Sequence, residues 1–303
     1  MTDRIMLLDT ASLYFRAFYG VPDKVKAADG TSVNAVRGLL DMIAKLVSTY
    51  EPTRLVACWD DDWRPAWRVD LIPSYKAHRV VEAVPVGADV EEVPDPLEAQ
   101  IPLIREALAV LGIPVVGAAE HEADDVIGAL ATHADVPVDI VTGDRDLFQL
   151  IDDERGVRIV YTARGMSNLE IVDDAAVLGR YGVHAAQYAD FAVLRGDPSD
   201  GLPGVSGIGE KSAASLLTAH GSLDGIRAAV ADGSAGTPSQ RAKIAAAADY
   251  LDVAPTVVRV ARDLTFEPFD DHLGAADETA AHALAEKWNL GSSMTRALTA
   301  LDR

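Results

Sequence analysis

Val138-Asp-Ile-Val-Thr-Gly-Asp-Arg-Asp146 is an apolar run that stops on a glycine and then on two carboxylates, Asp144 and Asp146, two residues apart. Residues 138–142 read as a short buried strand, and at the end of an extended segment both aspartates point the same way. A polar turn leading into a helix cap is the plainer reading of the same residues. Working outward, the design recurs: residues 5–9 and 55–60 are short apolar runs that end on Asp9 and Asp60. Helical patterns separate the runs, at about 33–48, 97–111 and 123–133. Strands alternating with helices predict an α/β fold with a mostly parallel central sheet flanked by helices. Ligands of such sheets bind beyond the carboxyl ends of the strands, where Asp9, Asp60 and Asp144 are expected to gather.

From about residue 173 the pattern changes to Ala- and Leu-rich helices, with only a weak strand candidate at 257–260. The expected organisation is an α/β core over 1–172 and a mainly helical region over 173–303. Near the start of the second region stands Gly196-Asp-Pro-Ser-Asp-Gly-Leu-Pro-Gly-Val-Ser-Gly-Ile-Gly-Glu-Lys211. Asp197 and Asp200, one turn apart, can face one point, and their hard oxygens suit Mg²⁺ or Mn²⁺. Gly204, Gly207 and Gly209 let backbone approach a partner, and Lys211 and Ser212 fall in the first turn of a helix whose bare amides bind phosphate. Either half alone reads as a polar loop or a turn; together they place metal chemistry beside a phosphate-binding turn.

The chain has 303 residues, 49% hydrophobic and 24% charged, as expected of a soluble globular protein with one large or two smaller domains. No apolar run reaches the roughly 18 residues that span a bilayer, and no signal peptide is evident, so a cytoplasmic protein without a membrane partner is expected. The lone Cys58 excludes an intrachain disulfide and a thiolate metal site, and its apolar neighbours place it in the core. The net charge of −20 argues against a polyanionic partner unless carboxylates converge on metal and cations concentrate where phosphate lies. Between Asp61 and Pro96 the composition does concentrate them: Trp63-Arg-Pro-Ala-Trp-Arg68 and Pro73-Ser-Tyr-Lys-Ala-His-Arg79 are aromatic and basic. Residues 82–96, acidic and punctuated by Pro85, Gly87, Pro94 and Pro96, read as a mobile loop.

His121-Glu-Ala-Asp-Asp125 puts Glu122 and Asp125 on one helical face with Asp124 beside them, and simple helix capping is the alternative. Five separated segments thus contribute nine acids: Asp9, Asp60, Glu122, Asp124, Asp125, Asp144, Asp146, Asp197 and Asp200. Nine clustered anions repel unless cations neutralise them, and two divalent ions leave acids over for outer-shell roles, protonation or a third ion. Two ions about 3.5–4 Å apart can activate water and stabilise both oxygens of a phosphodiester in-line displacement. No Walker A loop, Gly-x-Ser-x-Gly elbow or ligand-spaced histidine pair offers another chemistry.

Leu8-Asp-Thr10, Trp59-Asp60, Tyr75-Lys-Ala-His-Arg79, Glu122-Ala-Asp-Asp125, Thr142-Gly-Asp-Arg-Asp146 and the 196–211 stretch, in that order and spacing, resemble the flap endonuclease family. The bacterial 5′ nucleases that also form the N-terminal domain of DNA polymerase I are the most similar branch, and the resemblance covers nearly the whole chain. It implies a PIN-like nuclease fold, with a helical arch over about 61–96 and a helix-hairpin-helix-like turn over about 196–220. It also implies a nuclease that cuts 5′ flaps at their junction and degrades DNA from nicks and 5′ ends. The nine acids would hold two or three Mg²⁺ or Mn²⁺ ions, and Lys76 and Arg79 would meet the scissile phosphate. Arg64 and Arg68 would contact the DNA backbone, Tyr75, Trp63 and Trp67 would stack on bases, and carbonyls of Leu202, Val205 and Ile208 would hold a K⁺ ion. The tryptophans could equally pack the arch on the core. A monomer is expected, and if Arg303 ends the full protein it would act alone or with a separate polymerase and ligase. A PIN-type ribonuclease and a non-catalytic DNA-structure-binding protein are the competing readings.

Overall fold

The computed structural model describes residues 3–84, 89–274 and 276–302. Its centre is a six-stranded sheet of β1 (Ile5–Asp9), β2 (Arg54–Cys58), β5 (Val115–Val116), β6 (Val138–Thr142), β7 (Val157–Tyr161) and β8 (Glu170–Val172). The order is β5-β2-β1-β6-β7-β8, parallel throughout except for β8, which runs antiparallel to β7. β1 and β6 are buried along their whole length, which explains why both read as unbroken apolar runs.

Alternation along β1 divides the core. Ile5 and Leu7 face one hydrophobic cluster, and Met6 and Leu8 face the other. The second cluster is closed by α1 (Thr10–Gly20), α2 (Asn34–Tyr50), α4 (Asp95–Glu98) and α5 (Ile101–Val110). The expected 97–111 helix is thus broken in two, because Pro102 lacks the amide that a continuing helix needs and suits the first turn of α5. The first cluster is closed by α6 (Ala123–His133), α7 (Asp174–Tyr181), α8 (Tyr188–Arg195), α9 (Glu210–His220), α10 (Leu223–Asp232), α11 (Pro238–Ala246) and α12 (Ala248–Val258).

Three expectations are corrected. Residues 257–260 form no strand: Val257 and Val258 end α12 with their side chains in the first cluster. The segment over 61–96 is not chiefly helical. It holds one short helix, α3 (Ala66–Leu71), a 3₁₀ turn at Ala77–Arg79 and an antiparallel ribbon of β3 (Val80–Glu82) and β4 (Val90–Glu91). Pro65 caps α3 and Pro73 follows it closely, so the helix has no room to lengthen. The ribbon also replaces part of the acidic loop, although Pro85 and Gly87 lie outside the described residues. Finally, α13 (Glu278–Lys287) and α14 (Ser292–Leu301) leave the helical region. A strap pairs with the start of β2, with Leu55 N donating to Asp271 O (2.8 Å) and Leu273 N to Thr53 O (3.0 Å), and carries the chain to the far cluster. There Leu284, Met294 and Ala297 share a core with Leu39 and Ile43 of α2.

Candidate metal centre and nucleic-acid interface

Asp9 ends β1 and caps α1: its Oδ1 accepts from Ser12 N (3.1 Å) and its Oδ2 from the Thr142 hydroxyl (2.6 Å) at the end of β6. Asp60 lies two residues beyond β2, and its Oδ1 accepts from Ala123 N (2.8 Å) at the start of α6. That bond docks onto the strand edge the helix start that bears Glu122 and Asp124. Asp144 lies two residues beyond β6 and accepts from Asp146 N (2.8 Å). Asp9, Asp60, Glu122, Asp124 and Asp144 line one cleft of about 470 Å³, together with Lys76, Arg79 and Arg145. A larger groove of about 950 Å³ between α6 and α12 is lined by none of the nine acids.

Crowding leaves its mark on these carboxyls. Burial, joined by repulsion from Asp60 and Asp144 and opposed by the Thr142 hydroxyl, pushes Asp9 up to about 7. Burial, with Asp144 next in weight, raises Asp124 and Asp146 well above the usual range, and burial also raises Asp60 and Asp200. Asp146 Oδ1 is buried with no hydrogen-bond partner, an acceptor aimed at something the chain itself does not supply.

Cations answer part of that charge. Lys76, on left-handed backbone (φ 48°), places its ammonium on Glu122 Oε2, while Tyr75 Oη donates to Oε1 (2.6 Å). Arg79 pairs with Asp200 (2.9 Å), and Arg145 and Arg195 both reach Asp197 Oδ2 (3.0 and 3.1 Å). Against the cost of burial, Ser199 and Arg145 hold Asp197 below the usual carboxylate range. Counting Arg68, five cations face nine carboxylates, so the acids outnumber the cations that answer them. Hard oxygen donors and the orphaned Asp146 oxygen fit Mg²⁺-like ions.

The loop bearing Asp197 and Asp200 is clamped to the bridging segment. Lys76 N donates to Asp200 O (2.9 Å) and Ser74 Oγ to Gly201 O (2.7 Å), and a Cβ at Gly201 (φ 70°) would collide with the Ser74 carbonyl. The glycine turn follows. Gly207 and Gly209 are exposed, Gly209 caps α9, and Lys211 is exposed in its first turn with Ser212 half-buried beside it. The Leu202, Val205 and Ile208 side chains are core; Leu202 O accepts from Asp197 N (3.0 Å) and Val205 O from Ile208 N (2.9 Å). A Cβ at Gly204 (φ 65°) would overlap Gly196, which keeps the turn tight against the end of α8.

Three expected DNA contacts sit elsewhere. Arg64 is buried against Asp89 and the Tyr75 carbonyl, Arg68 against Asp125 and Glu122, and Tyr75 lies 5% exposed with its hydroxyl on Glu122. In this structure these side chains satisfy buried polar groups. Trp63 and Trp67 are half-buried and donate to Asp89 O (2.7 Å) and Glu120 O (3.0 Å). Asp125, fully buried on Arg68, stands outside the cleft-lining set, and Asp146, Asp197 and Asp200 are not among its lining residues either. Conversely, sequence reasoning passed over Arg145, which stands inside a quoted motif, Arg195, which immediately precedes one, and Lys243, whose Nζ caps the Gly207 carbonyl (3.0 Å) from α11. Lys243 carried no local signal, since only folding brings α11 beside the turn.

Known protein families and structures share this architecture. The model of the 5′-3′ exonuclease N-terminal resolvase-like domain matches residues 4–182, and that of the 5′-3′ exonuclease C-terminal SAM fold matches residues 183–279. A 5′-3′ exonuclease of Streptomyces coelicolor is 60% identical over 299 residues, 98% of this chain and 99% of that one. DNA polymerase I of Mycobacterium bovis is 41% identical over 239 residues, 75% of this chain but 25% of the polymerase. The T5 D15 protein, co-crystallized with metal ions, shares the fold, with a TM-score of 0.65 and 17% identity over 99% of this chain and 100% of that one. The chain belongs to the 5′-3′ exonuclease family. Among the described residues no helix is long and apolar enough to cross a membrane.

Proposed function

We propose that this protein is a structure-selective 5′-flap endonuclease and 5′ to 3′ exonuclease that hydrolyses DNA phosphodiesters with two Mg²⁺ or Mn²⁺ ions. The observation that carries the reading is the gathering of acids from separate strand ends in one cleft, roofed by the cationic 74–79 turn and adjoining an exposed glycine turn. Asp9, Asp60, Glu122, Asp124, Asp144, Asp146, Asp197 and Asp200 would hold the ions, directly or through water. Bound there, the ions would activate water and offset charge on the attacking and leaving oxygens.

The remaining work falls to the chain. Lys76 reaches a scissile phosphate by exchanging Glu122 for it, and Arg79 by exchanging Asp200, so the cations paired with the acids become the clamp on the reacting group. Lys211, Ser212 and the bare amides at the start of α9 grip duplex phosphates, with K⁺ on the carbonyls of the 202–208 turn as a further brace. The substrates are DNA flaps, nicks and 5′ ends, met in the cytoplasm by a monomer that works beside a separate polymerase and ligase.

The test is cleavage of a 5′-labelled flap duplex with Mg²⁺, with Mn²⁺ and with EDTA, beside the matching single strand. Junction cuts that vanish in EDTA are expected. Tight flap binding without cleavage in either metal would favour the non-catalytic binder, and cleavage of an RNA copy of the single strand with the DNA substrates left intact would favour the ribonuclease.

A further inference from the structure

Arg68 is 2% exposed, and its guanidinium joins three parts of the molecule. Nη1 and Nη2 fork onto the two oxygens of Asp125 (2.7 Å each), Nη1 also reaches Glu122 Oε1 (3.0 Å), and Nε donates to Val257 O (3.0 Å) near the end of α12. The Trp67 ring lies 4.3 Å from it. Asp125 is equally occupied. Its Oδ1 accepts from Arg68 and Ala261 N (2.8 Å), and its Oδ2 from Arg68 and Glu122 N (3.2 Å). A carboxylate offers about four lone-pair sites, and here four donors take them. Glu122 differs, because Oε1 holds Arg68 and Tyr75 while Oε2 meets Lys76, the one donor to it that also lines the cleft.

We infer that Arg68 is a positioning residue that fixes Glu122 with Oε2 toward the cleft and ties it to the end of α12, with Asp125 serving as the anchor of the guanidinium. This rests on the reading of Glu122 as a metal-holding carboxylate. Losing an outer-shell partner typically lowers metal affinity or activity about 10- to 100-fold, and the buried fork makes Arg68 such a partner.

The experiment measures Mn²⁺ affinity by calorimetry, and kcat and KM on flap DNA, for wild type, Arg68→Lys, Asp125→Asn and the double variant. The expected result is an affinity loss of about 10-fold in each single variant, a matching fall in kcat, and KM for DNA within about twofold. The double variant should lose no more than the worse single one, since both break one unit. A folded Arg68→Lys with wild-type affinity and kcat, or losses that multiply in the double variant, would overturn the inference. If Arg68→Lys does not fold, Tyr75→Phe removes the other donor on Oε1. It should weaken Mn²⁺ binding in the same direction, and unchanged affinity there refutes the inference too. Failure of wild type to cut any flap would instead sink the functional reading.

Discussion

The acid cleft and the glycine turn nearly adjoin in sequence, Asp200 preceding Gly204 by four residues, yet they treat charge in opposite ways. In and beside the cleft, Glu122 and Asp197 each hold several donors, and the burial of Asp9, Asp124 and the neighbouring Asp146 makes their ionisation costly. At the turn, Lys211 stands exposed at a helix start without a side-chain cap. Chemistry on a phosphodiester gains from charges fixed out of water, where each interaction is stronger. Holding a duplex needs only reachable donors, whose contribution comes through release of counterions and is salt-sensitive.

Four measurements would break or sharpen this contrast. The largest effect is expected for Asp146→Asn, which alters the carboxylate with the orphaned oxygen. Turnover should fall more than about 10³-fold while flap DNA still binds in Ca²⁺, and near-normal turnover in single-turnover assays would break the assignment of the cleft to chemistry. Next, Lys76→Ala should slow kcat roughly 10²-fold, the scale of losing one preorganised donor, with little change in duplex affinity. Lys211→Ala should do the reverse, weakening binding a few-fold and lowering the salt slope by about 1, and equal effects of the two lysines on both parameters would erase the division.

The smallest effect concerns stability. A carboxyl raised to about 7 when folded, as Asp9 is, keeps protons that the unfolded chain releases near 3.8. Stability of the metal-free protein is therefore lost as pH rises from about 4 through 7, and recovered as pH falls. Thermal unfolding in EDTA should shift upward by several degrees between pH 8 and pH 5.5. Mn²⁺ should raise the pH 8 value and flatten the trend; an identical trend with and without metal would show that the cleft acids are not its source.

Legibility differed between residue classes. Strand ends were readable because an apolar run closed by aspartate is a local pattern, and β1 and β6 lie where their runs predict. Helix α6 spans the predicted residues, since its start carries the acids that cap it. The roles of Arg64, Arg68 and Tyr75 were not readable. A basic and aromatic segment looks the same whether it meets nucleic acid or folds onto buried carboxylates, and only folded partners decide between them: Asp89 for Arg64, and the start of α6 and the end of α12 for Arg68 and Tyr75.

By itself the sequence determined the parallel α/β core, the strand ends that bear acids and the flexible glycine turn, because periodicity and backbone freedom are properties of short stretches. Only the tertiary structure decided which acids share the cleft, that Asp125 is committed to Arg68, and that Lys76 rests on Glu122. Those outcomes depend on distance and burial between segments far apart in the chain, and such distances set how strongly charges attract, repel or hold their protons.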